Sequence, residues 1–194
     1  MAAREILYFD RPGPKNTAAL VAAVKERAEA LGIKHLVVAS NSGATGLVLQ
    51  KALAGLGVTV VSVTEHSGWQ GGDRSTITAA MRRKLEAAGV RVLMCSHALS
   101  GVARSIAQKF GGVSQVEIIA HTLRLMGEGM KVAVEVAVMA ADAGLAPTDR
   151  EIIAVGGTGR GADVAIVLRA AHMNNFFDLE IREIIAKPRQ RKAD

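Results

Sequence analysis

A cluster of small polar residues and glycines that could hold an anion follows the apolar run Leu36–Ala39. The segment Ser40–Gly46 contains two serines, one asparagine, one threonine and two glycines, and an apolar helical pattern begins directly after it. Hydroxyls and free backbone N–H groups at the start of a helix favour a phosphate, because the helix dipole is positive there. An ordinary strand-to-helix turn with a serine cap is the alternative interpretation. The predicted phosphate-binding residues are Ser40, Asn41, Ser42, Gly43, Ala44 and Thr45.

Polar residues and glycines also follow each of the other predicted parallel strands. In an open parallel sheet, ligands bind outside the carboxyl ends of the strands, where the strand order reverses. Five such loops at one edge favour a ligand site over a plain scaffold. The further predicted ligand-binding residues are Lys15, Thr64, His66, Ser96, His97, Gly156, Gly157 and Arg160.

The sequence indicates where the site lies more clearly than which chemistry it performs. Histidine side chains as a class can act as acids or bases near neutral pH, so His66 and His97 are candidate catalytic acids or bases, although both could simply shape their loops. The glycines of 156–161 lack the spacing of a Rossmann fingerprint, and a strand follows them. The spacing of histidines, cysteines and carboxylates predicts no metal site. The loop 65–75 contains the single tryptophan, Trp69, and is predicted to be either a lid over the edge or a mobile surface loop.

Composition and charge limit the classes of partner. The net charge is +6, but residues 187–194 contain four bases and one acid, which leaves +3 on the rest of the chain. That excess is too small, and too scattered, to predict nucleic-acid binding. Cys95 is the only cysteine, so no internal disulfide is possible, and neither a signal peptide nor a membrane span is predicted. We therefore expect a cytoplasmic protein that does not bind membranes.

The order of predicted elements indicates an α/β domain. Glycines end four Ala/Leu-rich helical stretches, and short apolar strands follow these junctions. Alternating helices and strands imply parallel strands with helical crossovers. We predict one domain over 1–186 with a basic tail over 187–194. Strands are predicted at 5–9, 35–39, 58–63, 91–95, 151–155, 163–169 and 181–186, and helices at 16–31, 43–55, 76–88, 100–109, 114–126 and 129–143.

Several motifs resemble one known family over roughly residues 4–189. They are Lys34–Ser40, Ser96–Gly101, Val138–Asp142, Ala154–Gly157 and Ala171–Asp178. The chain resembles the carboxy-terminal domain of pyruvate kinase and, more narrowly, stand-alone archaeal and bacterial proteins similar to that domain. The resemblance implies a three-layer α/β/α fold with a mixed, mostly parallel sheet whose last core strand is antiparallel.

The resemblance also guides the expected function. In pyruvate kinase the equivalent loop grips the phosphate of an allosteric sugar bisphosphate, but Ala44 stands here where that loop has an arginine. We expect binding of a phosphorylated small molecule and no pyruvate kinase activity. A nucleotide or flavin monophosphate (FMN) fits a cleft rich in alanine and valine. The alternatives are an enzyme that acts on such a ligand through His66 or His97 and a structural module of a homo-oligomer. We expect the chain to form a homo-oligomer in any case.

Overall fold

A computed structural model describes residues 3–191, and its elements match the predicted order. Helix α3 begins three residues later than predicted, because the Thr78 hydroxyl accepts a hydrogen bond from the Met81 N–H and so caps the helix. The strands are β1 (Leu7–Phe9), β2 (His35–Ala39), β3 (Thr59–Thr64), β4 (Arg91–Met94), β5 (Ile152–Gly156), β6 (Val164–Arg169) and β7 (Glu180–Pro188). The α-helices are α1 (Thr17–Leu31), α2 (Ala44–Ala52), α3 (Ala79–Ala87), α4 (Gly101–Phe110), α5 (Gln115–Arg124) and α6 (Glu128–Asp142), and 3₁₀ turns span Pro14–Asn16 and Met173–Asp178.

The strands form one mixed sheet in the order β1-β7-β6-β5-β2-β3-β4. Strand β6 is antiparallel to both of its neighbours, and the other strand pairs are parallel. The expected antiparallel core strand is therefore confirmed. From β2 the chain adds β3 and β4 on one side, and later β5 to β7 on the other. The order thus reverses between β2 and β5, which places the loops after these two strands side by side.

Two apolar layers cover the faces of the sheet and confirm the three-layer architecture. Successive residues of β2 point to opposite faces, so Leu36 and Val38 enter one core while Val37 enters the other. Helices α1, α2 and α3 pack on the first face. Helix α6 covers the second face, and α5 packs against α6. The carboxyl ends of the parallel strands therefore lie between two helical layers.

Both ends of the described chain meet at one edge of the sheet. Lys187 and Pro188 continue β7 and pair with Tyr8 and Phe9 of β1. The Arg189 N–H also donates to the carbonyl oxygen of Phe9 at 2.8 Å. The strand pairing thus continues through Lys187 and Pro188, the first two residues of the predicted tail, and residues 192–194 of that tail lie outside the described residues. Within residues 3–191, no helix is both long enough and apolar enough to cross a bilayer.

The direction of β6 carries the segment after it away from the predicted ligand edge. Gly156 pairs with Val164 at that edge, whereas Ile152 pairs with Leu168 at the other. The turn Met173–Asp178 follows β6 and lies near the carboxyl end of α6, where His172 Nδ1 is 3.2 Å from an Asp142 carboxylate oxygen. This segment is therefore remote from the loop that follows β2.

Candidate functional site

A cleft of about 870 Å³ lies at the carboxyl edge of the sheet, beside the reversal between β2 and β5. Its walls are the loops after β2, β3 and β5 and one side of α6. Its volume is in the range of small-molecule sites. Nine of the predicted ligand-binding residues line it: Ser40, Asn41, Ser42, Ala44, Thr45, Thr64, His97, Gly157 and Arg160.

The turn into α2 combines a helix cap with unused donors. The Ser40 hydroxyl accepts from the Gly46 N–H at 3.2 Å, whereas Gly43, the N-cap residue, makes no side-chain cap hydrogen bond. The first bond of the helix joins the Leu47 N–H to the Gly43 carbonyl at 3.2 Å. The N–H groups of Ala44 and Thr45 therefore lie in the first turn, where no helical carbonyl precedes them. The Ser40 hydroxyl keeps its own proton for a further acceptor.

Gly43 supports this turn without lining the cleft. It has a φ of 86°, which glycine adopts without strain. A Cβ at this position would lie 2.6 Å from Met81 Cγ and 2.8 Å from Leu85 Cδ1. The glycine is thus required by the close approach of the turn to α3, and a substitution here would disturb the fold as well as any ligand.

Four other predicted residues do not line the cleft. Lys15 is exposed in the first 3₁₀ turn, and Ser96 is exposed after β4. Gly156 is buried under α6, where a Cβ would lie 2.1 Å from the Gly129 carbonyl oxygen. It ends β5 and faces the helix layer instead of the cleft. His66 contacts the cleft indirectly, because its ring centroid is 5.2 Å from that of His97.

The glycine-rich loop after β5 is held in place by buried contacts. The fully buried Asp163 accepts hydrogen bonds through Oδ2 from the N–H groups of Gly13 at 3.0 Å and Thr158 at 3.2 Å. The Thr17 hydroxyl accepts from the Ala162 N–H at 3.0 Å. Burial raises the pKa of Asp163, and the hydrogen bonds it accepts oppose this shift. These contacts fix the base of the loop that presents Arg160 to the cleft.

The loop after β3 is joined to the turn before α2. Glu65 accepts hydrogen bonds from the Asn41 side-chain amide and from the Thr76 hydroxyl, both at 2.6 Å. The Thr64 hydroxyl donates to the Asn41 carbonyl oxygen at 3.0 Å. A ligand that contacts Asn41 would therefore also affect the hydrogen bonds at the base of the loop that contains Trp69.

Trp69 lines the cleft within a cluster of rings. Its ring centroid lies 4.7 Å from that of His97, and the Arg104 guanidinium lies 4.4 Å over the indole. Burial lowers the pKa of His97, and the positive charges of Lys131 and Arg104 act in the same direction, whereas Glu135 opposes them. A neutral imidazole at pH 7 is able to accept a proton, so the geometry keeps His97 as a candidate base.

Helix residues that the sequence analysis did not identify add most of the charge in the cleft. Lys131 and Glu135 face each other one turn apart on α6, with Lys131 Nζ 2.5 Å from Glu135 Oε2. The other Glu135 oxygen accepts from the Leu99 N–H at 2.8 Å. The available signal was a Lys–Glu pair at i, i+4 inside an otherwise apolar helix. The charged residues that line the cleft are Glu65, Arg104, Arg124, Lys131, Glu135 and Arg160.

Among residues 3–191, no group of three or more histidines, cysteines and carboxylates could hold a metal ion. The cleft therefore offers donors for an anion, two carboxylates and an apolar wall of Val132, Val136 and Met139.

Comparisons with known proteins find similarity to pyruvate kinases. Among solved structures, a pyruvate kinase from Cryptosporidium parvum matches with a TM-score of 0.42 and 17% sequence identity, over 79% of this chain and 22% of that one. The same parasite's pyruvate kinase in complex with ADP matches with a TM-score of 0.42 and 18% identity, over 79% and 23% of the two chains. The chain thus spans less than a quarter of these enzymes. The sequence profile of the family "Pyruvate kinase, alpha/beta domain" matches residues 18–168, and the chain belongs to that family.

Proposed function

We propose that the chain binds a phosphorylated small molecule in the cleft, with the phosphate at Ser40–Thr45. The observation that carries this proposal is the first turn of α2. Its Ala44 and Thr45 N–H groups precede the first helical hydrogen bond, and Ser40, Ser42 and Thr45 add hydroxyls around them. A dianionic phosphate would satisfy several of these donors and would meet the positive end of the helix.

Charge and shape in the rest of the cleft support the same ligand class. Four cationic side chains and two carboxylates line it, so its charged groups carry a net positive charge. Arg160, which lines the cleft from a fixed loop, could replace the charge-assisted contact that Ala44 does not provide. The valines of α6 and the ring of Trp69 offer flat apolar surface. A nucleotide or FMN fits this combination of anion site and apolar wall.

The experiment begins with native mass spectrometry of protein purified without added ligand, which identifies any retained phosphorylated species. Titration calorimetry then compares that species with its dephosphorylated form; where nothing is retained, FMN and riboflavin serve as the pair. Ser42→Ala removes one hydroxyl that lines the cleft. Because hydrogen bonds to charged groups contribute about 1.5–3 kcal/mol, binding should weaken roughly 10- to 100-fold.

The matched control is Ser105→Ala, which removes an exposed hydroxyl from α4 outside the cleft lining. It should leave the affinity unchanged. Equal binding of the phosphorylated and dephosphorylated forms would show that the turn before α2 is only a helix cap.

A second candidate function is catalysis on the bound ligand with His97 as the acid or base. It is favoured by the position of His97 in the cleft and by the lowered pKa of its imidazole. Turnover of the retained species, followed by mass spectrometry, separates an enzyme from a binding protein. Loss of turnover in His97→Asn with unchanged affinity would assign the proton transfer to this residue.

We also propose that the chain lies in the cytoplasm and that it self-associates. Helix α4 supports the self-association, because it buries no residue fully and exposes Val102, Ile106 and Phe110 by 51–76%. These residues recur every fourth position and form one apolar stripe. Light scattering of the parent and of Phe110→Ser would test whether the stripe is covered by a second copy. If the protein is an oligomer but binds none of the tested ligands, the third alternative, a structural module of a homo-oligomer, would gain support.

A further inference from the structure

Lys131 is the one fully buried lysine among the residues that the structure describes, with 6% of its side chain exposed. Its neighbours in Met130–Ala141 are apolar except for Glu135. The charges of Lys131 and Glu135 therefore do not serve to keep a solvent-facing side of the helix polar. Buried ion pairs contribute little or nothing to stability compared with well-packed apolar residues. Since both side chains line the cleft, a role toward a ligand explains the pair better than a role in folding.

The contacts of the pair hold Glu135 in place and leave Lys131 with free donors. Among residues 3–191, Lys131 Nζ has one hydrogen-bond partner, Glu135 Oε2. Glu135 is fixed from its other side by the Leu99 N–H. An ammonium group has three donors, so two remain for other partners. The carboxylate is placed to take a proton from the ammonium without moving away from it.

The electrostatic surroundings favour the neutral amine more than those of a surface lysine do. Burial is the main cause that lowers the pKa of Lys131, and the charges of Arg124 and Arg104 lower it further. Glu135 opposes these effects through its charge and its hydrogen bond. Buried lysines with a lowered pKa are suited to nucleophilic catalysis, because the unprotonated amine is the reactive form.

We propose that Lys131 forms an imine with the carbonyl carbon of a phosphorylated aldehyde or ketone bound in the cleft. This inference rests on the proposed function, because the phosphate site would hold the carbonyl compound against α6. Glu135 takes a proton from the ammonium, and the amine nitrogen attacks the carbonyl carbon while the C=O electron pair moves to oxygen. A proton passes from nitrogen to that oxygen and gives a carbinolamine. Glu135 then returns its proton to the departing hydroxyl, so the products are an iminium ion and one water molecule.

The probe for this reaction is pyridoxal 5′-phosphate, which carries an aldehyde and a phosphate, with pyridoxal as its phosphate-free counterpart. The full chain is incubated with each compound and reduced with borohydride, and the modified lysine is identified by peptide mass mapping. We expect Lys131 to be the principal site despite its burial. Inorganic phosphate should protect it, and pyridoxal should modify it more slowly.

Two variants and one matched control complete the experiment. Lys131→Arg keeps a cation beside Glu135 but has no amine that can form the imine. Lys131→Met removes both the cation and the amine. Each variant should lose the principal modification. Lys109→Met removes an exposed lysine of α4 and should leave the modification of Lys131 unchanged. Thermal unfolding of all three variants establishes that the chain is folded.

The outcomes separate this inference from the proposed function. Modification spread over exposed lysines, with Lys131 unmodified, overturns the imine. If phosphate still competes with reversibly bound pyridoxal 5′-phosphate in that case, the phosphate site stands. If pyridoxal and its phosphate ester modify Lys131 equally fast, the imine stands and the phosphate site fails.

Discussion

A change of charge at Ala44 should move ligand affinity and protein stability in opposite directions. Ala44 is the first residue of α2, is exposed and lines the cleft. Ala44→Asp places a negative charge at the positive end of the helix, which stabilises the free protein by about 0.3–1 kcal/mol. For a chain of this size, 1 kcal/mol corresponds to roughly 2–4 °C in Tm, so we expect a rise of about 1–4 °C. Ala44→Arg should lower the Tm by a similar amount.

The same substitutions should change phosphate binding with the reverse sign. Two like charges about 4 Å apart repel by about 1 kcal/mol in bulk water and about 4 kcal/mol at an effective dielectric constant near 20. Ala44→Asp should therefore weaken binding about tenfold or more. Ala44→Arg adds a charge-assisted contact of about 1.5–3 kcal/mol, but ordering the side chain offsets up to about 2 kcal/mol. We expect up to about tenfold tighter binding.

Calorimetry measures both quantities, by thermal scans without ligand and by titration with the retained phosphorylated species or FMN. The matched control is Ala79, the exposed first residue of α3, which does not line the cleft. Asp and Arg at position 79 should shift Tm as at position 44 and leave the affinity unchanged. If Ala44→Asp binds as tightly as the parent, no phosphate lies at this helix end. If it binds weakly only because it is unfolded, its Tm will fall instead of rising.

Four further outcomes are expected. Trp69 emission should shift or be quenched by the ligand, because its ring lines the cleft; unchanged emission at saturation, with binding confirmed by calorimetry, would make 65–75 an ordinary loop. Phe176 is half-buried against the α6 core. Phe176→Ala should lower the free energy of unfolding by about 1.5–2.5 kcal/mol or dissociate an oligomer, and the ligand affinity should be unchanged. The pKa of His97 in the folded protein lies below its ordinary value of 6.5, so unfolding takes up a proton at pH values between the two. The free energy of unfolding should therefore fall as the pH drops through that range. Thermal scans from about pH 7.5 to about pH 5.5 should show a shallower fall for His97→Asn than for the parent. A polypeptide of these 194 residues, assayed by itself, should form no ATP from phosphoenolpyruvate, because it is shorter than the (β/α)₈ barrel of about 250 residues through which a pyruvate kinase acts.

The order of the elements along the chain could be predicted from the sequence, and the family resemblance implied the layers of the fold. Apolar runs such as Leu36–Ala39 and glycines at helix ends set the alternation of elements. The antiparallel β6 was implied by the family resemblance, and the direct connection from Val155 to Asp163 without a helix fits it. The ends of elements were less accessible. The pairing of Pro188 with Phe9 extends β7 because a strand from the other end of the chain supplies its partner. No pattern near residue 188 encodes that contact.

The loops of the candidate site were predictable and its helical wall was not, for a reason of geometry. Residues that follow parallel strands must share one edge, so Ser40, Thr64, His97 and Gly157 could be grouped without coordinates. Helical periodicity shows which side of α6 is apolar but not whether that side meets the sheet or borders a cleft. A Lys–Glu pair at i, i+4 ordinarily indicates a solvated helix surface. The position of Lys131 and Glu135 follows from the Leu99 N–H, which lies more than thirty residues earlier and anchors the carboxylate. In an α/β chain, a charged pair inside an apolar helix can thus mark a helix flank that borders the strand-order reversal and adds to the loops there.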